Sequence, residues 1–442
     1  MAVQLLPPLR LGLAGFGTVG SGLVRILAEN RENTIARTGR EIIITSVLVR
    51  DKNRARAVPL PEGAALTDDM EAFINTPDVD VIVEVIGGTT TAKELIQRAL
   101  AAGKHVVTAN KALLAETGNE LFALAAEKNL HLGFEASICG GIPIVETMKH
   151  GLASSSLQGL MGILNGTSNY ILSQMTSKGL SFEVALKAAQ EKGYAEADPT
   201  FDIEGIDAAH KLALLIRLGW GVEFPFDKMT IKGISQVLPE DIEYARAFGY
   251  RIKLIAYAKN HPEGLEASVS PTLVHETYLL SRVGDAYNAV RVHGDAVGSL
   301  FLHGKGAGDL PTGNSVAADI FAIARGSIPN NTGFCSLPKP AKLISNDAVT
   351  SPFYIRLSMK DRPGVLRDVA AIMAQHNISI AQAIQKKISV NDQPDTDECV
   401  PFTIMTHDAR VSDVEKALAA LEYIPTVQQK PVSYRVMAKN LS

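Results

Sequence analysis

Leu11-Gly12-Leu13-Ala14-Gly15-Phe16-Gly17-Thr18-Val19-Gly20, continuing through SGLVRILAEN to residue 30, is the stretch whose reading decides the fold. An apolar run, LRLGLAG at 9–15, ends in the G-x-G-x-x-G of Gly15, Phe16, Gly17, Thr18, Val19 and Gly20, and a helical pattern follows at once. Alone such a motif is weak. Between a strand and a helix it gains a physical meaning. The glycines permit a tight turn and let the backbone approach a pyrophosphate, while the helix N-terminus supplies free N–H groups and partial positive charge. The alternative is a glycine-rich turn that holds nothing.

Four further apolar runs follow: EIIITSVLV (41–49), VDVIVEVI (79–86), KHVVTA (104–109) and LHLGFE (130–135). Amphipathic stretches such as KELIQRALAAG and NELFALAAEKN lie between them. Buried parallel strands read as continuous Val/Ile/Leu runs, with crossover helices filling the gaps. Residues 1–139 are therefore expected to form an α/β, Rossmann-like doubly wound domain. From 140 to 330 longer helical patterns mix with strand-like runs such as ASVSPTLV and YNAVRVHG, which predicts a second α+β domain. Its last part, GKGAGDLPTGNSVAADIFAIAR (304–325), joins a Gly-rich loop to a helix expected to pack back on the nucleotide domain. Residues 331–350, in a region rich in Pro, Asn, Gly and Ser, read as a linker. Residues 351–442 follow the order βαββαβ of a ferredoxin-like unit.

With 442 residues, two or three domains are expected. A hydrophobic share of 46% and a charged share of 20% describe a soluble globular protein. A net charge of −4 leaves no electrostatic footprint for nucleic acid. No apolar stretch reaches the ~20 residues of a membrane span. The start, MAVQLLPPLR, lacks the n-region of a secretory signal. Cys139, Cys335 and Cys399 are too scattered for a disulfide framework, so a cytoplasmic location is expected.

The second run ends at Val49-Arg50-Asp51-Lys52. An NAD site usually has an acidic residue there for the ribose 2′-OH. Arg50 instead suits a 2′-phosphate, which favours NADP, although the neighbouring Asp51 keeps NAD open.

Gly193-Tyr194-Ala195-Glu196-Ala197-Asp198-Pro199-Thr200-Phe201-Asp202-Ile203-Glu204-Gly205-Ile206-Asp207-Ala208-Ala209-His210-Lys211 resembles the signature segment of homoserine dehydrogenases. VTANKALLA (107–115) and GILNGTSNYIL (162–172) resemble two further segments of that family, in the family's order. The resemblance implies an NAD(P)-dependent oxidoreductase that reversibly reduces L-aspartate 4-semialdehyde to L-homoserine, a step toward threonine and methionine. It also implies that residues 140–330 form the substrate-binding, catalytic and dimerisation domain of a homodimer or homotetramer.

Asp207 and Lys211, four apart on a helix, share one face. Such a pair is commonly a surface ion pair, but the apolar KLALLIRLGW points to burial, where an Asp–Lys pair is more often functional. Hydride transfer to an aldehyde needs a proton donor for the nascent alkoxide, which a Lys ammonium provides. The family implies Lys211 in that role, with Asp207 orienting it. Glu196 and Asp202 are carboxylates for the substrate ammonium, Glu196 being the better match. Lys111 stands at a helix start where the dipole disfavours a cation, which points to the nicotinamide or the substrate carboxylate. Asn165 and Thr167, with Ser168, are substrate hydrogen-bonding candidates or simple turn residues. Thr89, just beyond the VDVIVEVI run, and Gly306 in the Gly-rich loop join the fingerprint residues as expected cofactor contacts.

Several family members hold a monovalent cation, sodium, where this chain has Glu135, Ile138, Gly140 and Ile142. Oxygen donors suit a hard ion, and a plain strand-to-helix corner is the alternative. The C-terminal unit resembles an ACT domain, on its element order and on Lys360-Asp361-Arg362-Pro363-Gly364-Val365-Leu366. That resemblance implies an amino-acid effector, with L-threonine expected, held by Asp361, Gly364, Val365 and, across a domain pair, Asn377. An empty dimerisation module is the alternative. Two rival functions stay open: a semialdehyde dehydrogenase using Cys139 as nucleophile, and a non-catalytic sensor of NADP and an amino acid.

Overall fold

The computed structural model describes residues 5–360, 362–385 and 399–437. Six parallel strands form the first sheet: β1 (Leu9–Ala14), β2 (Ile42–Leu48), β3 (Ala65–Thr67), β4 (Val81–Glu84), β5 (His105–Thr108) and β6 (Leu132–Gly133). Their order is β3-β2-β1-β4-β5-β6. β1 and β4 are parallel neighbours, and the order in which successive strands are added reverses between them; that switch point opens the crevice in which such sheets bind ligands. Leu11, Leu13, Val81 and Val83 are fully buried because helices cover both faces. Only three residues long, β3 has too little pattern for the sequence to announce it.

The Asp309–Ala324 helix returns to this sheet, although its sequence lies within 140–330. Val316, Ile320 and Ile323 enter the same core as Leu11 and Leu13. Its backbone touches the Thr18–Glu29 helix, since a Cβ on Gly22 would stand 2.2 Å from the Asp309 carbonyl oxygen. The helix therefore packs back on the nucleotide domain, as its sequence predicts.

A ten-stranded sheet builds the rest. Strands Gly298–Lys305, Tyr287–Gly294, Leu157–Ile163, Tyr250–His261 and Gly264–His275 run into Val432–Val436, Phe353–Lys360, Cys399–Thr406 and Ile380–Gln385, and the tenth, Thr230–Ile231, pairs with Gly264–His275 off this path. The C-terminal unit thus continues the sheet of the middle one: Gly264–His275 pairs in parallel with Val432–Val436, Leu273 facing Val436. Helices Val365–Gln375 and Val411–Glu422 complete the βαββαβ unit around Ile355, Val369, Met373, Ile404 and Leu421. Gly364, at φ 95°, starts the first of these helices at Val365, and Asn377, at φ 56°, follows its end. Eleven residues at 1.5 Å each set the two ends roughly 16 Å apart, so Gly364 and Asn377 converge on one ligand only across a pair of domains. Asp361 lies outside the described residues. Among those described, no helix is long and apolar enough to cross a membrane.

Candidate active site

The Ile206–Trp220 helix begins at Gly205, whose φ of 82° lets the chain turn out of the short Thr200–Ile203 helix. That start places Asp207 in the first turn, where the dipole favours a carboxylate, and Lys211 one turn on. Both are buried, at 5% and 7% exposure. Lys211 Nζ donates to Asp207 Oδ2 at 2.7 Å and to the Leu164 carbonyl at 2.7 Å. Lys111, opening the Lys111–Glu127 helix, reaches the other oxygen, Asp207 Oδ1, at 3.0 Å. That ion pair is the physical reason a lysine sits at a helix N-terminus.

Asn165 caps the Gly166–Lys178 helix by accepting from the Ser168 N–H at 2.8 Å. Its Nδ2 donates to Asp202 Oδ1 at 2.6 Å and Asp207 Oδ2 at 2.8 Å. Thr167 donates to the Tyr194 carbonyl and Ser168 to the Asp202 carbonyl, each at 2.7 Å. The turn that these residues build thus borders the Asp202 and Asp207 carboxylates. Lys211, Asp207, Lys111, Asn165 and Asp202 form one hydrogen-bonded cluster. Glu196 stands outside it with an exposed side chain, and its backbone carbonyl accepts from Gln190.

Burial alone would raise the Asp207 carboxyl, but Lys211 and Lys111 overcome it and hold that group well below the usual carboxylate range. Burial likewise works against the Lys211 ammonium, yet Asp207 outweighs it and the pKa is raised. Asp202 goes up, through burial and the Asp207 charge. The site therefore stores a proton on Lys211. Cys139 is fully buried and its thiol is pushed up to about 11 by desolvation, so it supplies no thiolate.

Sequence reading missed Asn288. Its Nδ2 donates to the Leu164 carbonyl at 2.9 Å, the same oxygen that Lys211 uses, and its buried Oδ1 has no partner among the described residues. A Cβ on Gly306 would stand 2.3 Å from the Asn288 amide, and one on Gly140 would stand 2.5 Å from the Gly306 carbonyl oxygen. Gly306 thus lies between the Lys211 cluster and the Gly140 turn.

The fingerprint fits a dinucleotide. A Cβ at Gly15 would meet the Val85 carbonyl oxygen at 2.6 Å, and one at Gly20 the Gly15 carbonyl oxygen at 2.3 Å, whereas Gly17 faces open space. The Thr18–Glu29 helix has neither a capping side chain nor an acidic residue in its first turn, leaving its N–H groups for an anion. Glu84, buried at the end of β4, accepts from the Ile86 and Gly87 N–H groups at 2.9 and 3.1 Å and from Thr108 Oγ1 at 2.5 Å. Asn110 donates to the Gly88 carbonyl at 2.7 Å, so the turn leading to Thr89 is fixed from both sides. Arg50 is exposed, and Lys52 is paired with Asp68 at 2.8 Å. Arg56, a further miss, lies over the Phe16 ring at 5.9 Å and binds the carbonyls of Asp51, Lys52 and Arg54.

Glu135 is 1% exposed and accepts from the Val145 and Glu146 N–H groups at 2.9 and 2.8 Å. Burial pushes it up to about 7. The Gly140 carbonyl accepts from Ser315 at 2.6 Å and that of Ile142 from the Ile144 N–H at 2.8 Å, each keeping a second lone pair. A buried carboxylate in no ion pair among the described residues, close in sequence to irregular backbone carbonyls, suits a hard monovalent ion.

Comparison with known proteins agrees with this geometry. The homoserine dehydrogenase family model matches residues 143–321, the homoserine dehydrogenase NAD-binding domain residues 15–135, and the ACT domain residues 353–426. Homoserine dehydrogenase of Neisseria gonorrhoeae is 42% identical, over 96% of this chain and 98% of its own. The crystal structure of a homoserine dehydrogenase from Thiobacillus denitrificans superimposes with a TM-score of 0.91 at 41% identity, covering 98% of this chain and 99% of that one. A hyperthermophilic archaeal homoserine dehydrogenase in complex with NADPH matches with a TM-score of 0.62 at 25% identity, over 74% of this chain and 99% of that one. Neither the thiol enzyme nor the sensor finds support, and the chain belongs to the homoserine dehydrogenase family, with a nicotinamide-binding domain at one end and an ACT domain at the other.

Proposed function

We propose that the chain interconverts L-aspartate 4-semialdehyde and L-homoserine with NADPH, Lys211 carrying the proton. The observation that bears most weight is the buried Lys211 ammonium, held by Asp207 Oδ2 and the Leu164 carbonyl at 2.7 Å each. The nicotinamide supplies or takes the hydride. As the aldehyde oxygen gains charge, Lys211 donates a proton to it and stabilises the alkoxide. In the reverse direction neutral Lys211 takes the hydroxyl proton. Asp207 orients Lys211 and, through Oδ1, Lys111, whose ammonium binds the substrate carboxylate or the nicotinamide side. Glu196 and Asp202 face the substrate ammonium. Gly15 to Gly20, Thr89 and Gly306 line the cofactor. The working form is a cytoplasmic homodimer or homotetramer, and the ACT effector is L-threonine, held by Gly364 and Val365 of one domain and Asn377 of another.

Turnover of L-homoserine with NADP+ and with NAD+, in wild type and Arg50→Ala, tests this reading. NADP+ is expected to be preferred. The substitution should raise KM for NADP+ and spare NAD+, since one charge-assisted contact is worth about 1.5–3 kcal/mol. Equal weakening of both cofactors removes Arg50 from 2′-phosphate recognition, and no turnover with either defeats the proposal.

Sodium at Glu135, Ile138, Gly140 and Ile142 is part of the same proposal. Glu135 has its folded pKa raised from 4.5 to about 7. The stability it confers is full below its unfolded pKa and is lost as pH rises through the folded one. A cation takes the place of the missing proton. The Tm in NaCl should therefore exceed that in tetramethylammonium chloride by a margin that widens from pH ~6 to ~9, and Glu135→Gln should erase the margin. The same Tm in both salts throughout argues for a bare strand-to-helix corner.

A further inference from the structure

The ACT domain meets the catalytic unit through a buried polar cluster as well as a shared sheet. Asp241, fully buried on the Pro239–Ala247 helix, accepts from Tyr354 Oη at 2.7 Å and Arg356 Nε at 2.8 Å through its Oδ1. Its Oδ2 accepts from the Leu238 N–H at 2.9 Å. Arg356 also donates to the Gln236 carbonyl at 3.2 Å, and Tyr434 Oη donates to the same oxygen at 3.1 Å. Tyr354 and Tyr434 stack with ring centroids 5.8 Å apart. Three ACT side chains thus converge on one turn of the catalytic unit, residues 236–241.

That turn is the end of a strap that leads to the proton carrier. Thr230–Ile231 pairs with the Gly264–His275 strand, and the Lys232 N–H donates to the Val269 carbonyl at 2.8 Å. The Ile234 N–H donates to the Ile203 carbonyl at 2.8 Å. A Cβ on Gly233 would stand 2.5 Å from that same carbonyl, so the strap lies flush on the Ile203–Gly205 corner. Asp202 is the residue before that corner and Asp207 the second after Gly205. Both hold Asn165, and Asp207 holds Lys211.

We propose that Arg356 and Tyr434 of the ACT domain are positioning residues for the reaction: by pinning Gln236 they seat the 230–236 strap on the Ile203–Gly205 corner and so fix Asp207 against Lys211. An effector that shifts the ACT sheet then acts on proton transfer rather than on cofactor binding. This rests on the role given to Lys211 above.

The test compares wild type, Arg356→Met, Tyr434→Phe, the double variant Asp241→Leu with Arg356→Met, and Gly233→Ala. Arg356→Met alone leaves the buried Asp241 without its counter-charge, which costs folding stability. The apolar double variant avoids that charge, and Tyr434→Phe removes one hydroxyl only. Gly233→Ala lifts the strap from the catalytic side without touching the ACT domain. Each folded variant is expected to lower kcat for homoserine oxidation by about tenfold, less for Tyr434→Phe, the scale of a 1–2 kcal/mol coupling. The alkaline limb of the pH profile should shift as well, with NADPH affinity unchanged. Amide exchange near Ile234 and residues 204–207 should quicken in all of them, a readout that needs no turnover. If exchange there stays at the wild-type rate and kcat and pH profile are preserved while Tm falls, the cluster only holds the domains together and the proposal fails. If wild type does not turn over but exchange quickens, the fault lies with the catalytic assignment.

Discussion

Lys211→Met is expected to lower kcat for homoserine oxidation by roughly 100- to 10,000-fold, the range for losing a positioned acid–base group, with NADPH binding unchanged. The fold should survive. Methionine fills a similar volume, and Asp207 keeps Lys111 at 3.0 Å and Asn165 at 2.8 Å, so no buried charge is orphaned. The Leu164 carbonyl keeps Asn288. The wild-type pH profile carries the same signature. Asp207 raises the Lys211 pKa, so the ammonium persists at neutral pH, where it is the acid that reduction needs. Oxidation needs the neutral amine and should therefore quicken as pH rises. Steady-state rates in both directions, followed by the absorbance of the reduced nicotinamide, check it. A Lys211→Met enzyme that keeps near-wild-type rates removes Lys211 from proton transfer.

What the sequence shows of this site depends on spacing along the chain. Asp207 and Lys211 lie one helical turn apart, so their contact follows from periodicity. Lys111 announces itself by a misfit with the dipole, which its bond to Asp207 explains. Asn288 gives no such sign. It sits in a strand 124 residues from the carbonyl it binds, and nothing in YNAVRVHG distinguishes it from a solvated edge residue. Arg56 was hidden because the turn after β2 is irregular and its partners are backbone carbonyls. Glu84 left a trace, an acid flanked on both sides by apolar residues within a strand-like run, and its burial under Thr108 and two N–H groups accounts for it. At the level of fold, long apolar runs gave β1, β2, β4 and β5, while three-residue β3 has no pattern to read. The union of the middle and C-terminal sheets is a tertiary choice between two open edges, on which local pattern is silent.

The glycines of the fingerprint differ in what they are for, and a single substitution separates folding from binding. Gly15 and Gly20 are glycine because a Cβ would strike carbonyl oxygens at 2.6 and 2.3 Å. At Gly17 a Cβ meets nothing within 4 Å, and its φ of −90° is open to any residue. The fold thus has no need of glycine there, and the open space is left for a ligand. Gly17 is also the N-cap of a helix that has no capping side chain. An aspartate at that position caps well, gaining about a few tenths of a kcal/mol over glycine. The same carboxylate occupies the N–H groups that a pyrophosphate needs and repels its charge, so both effects weaken the dinucleotide. Losing two charge-assisted contacts at about 1.5–3 kcal/mol each corresponds to roughly 100-fold or more in Kd. Gly17→Asp should therefore unfold at the wild-type temperature or slightly above, bind NADPH at least about 100-fold more weakly, and keep its secondary structure. Gly17→Ala, which adds a methyl group without charge, should lose far less. NADPH titration by fluorescence beside a thermal melt reads both quantities on one sample. Wild-type affinity in Gly17→Asp places the pyrophosphate away from this helix, and a large fall in Tm shows that the open space was structural after all.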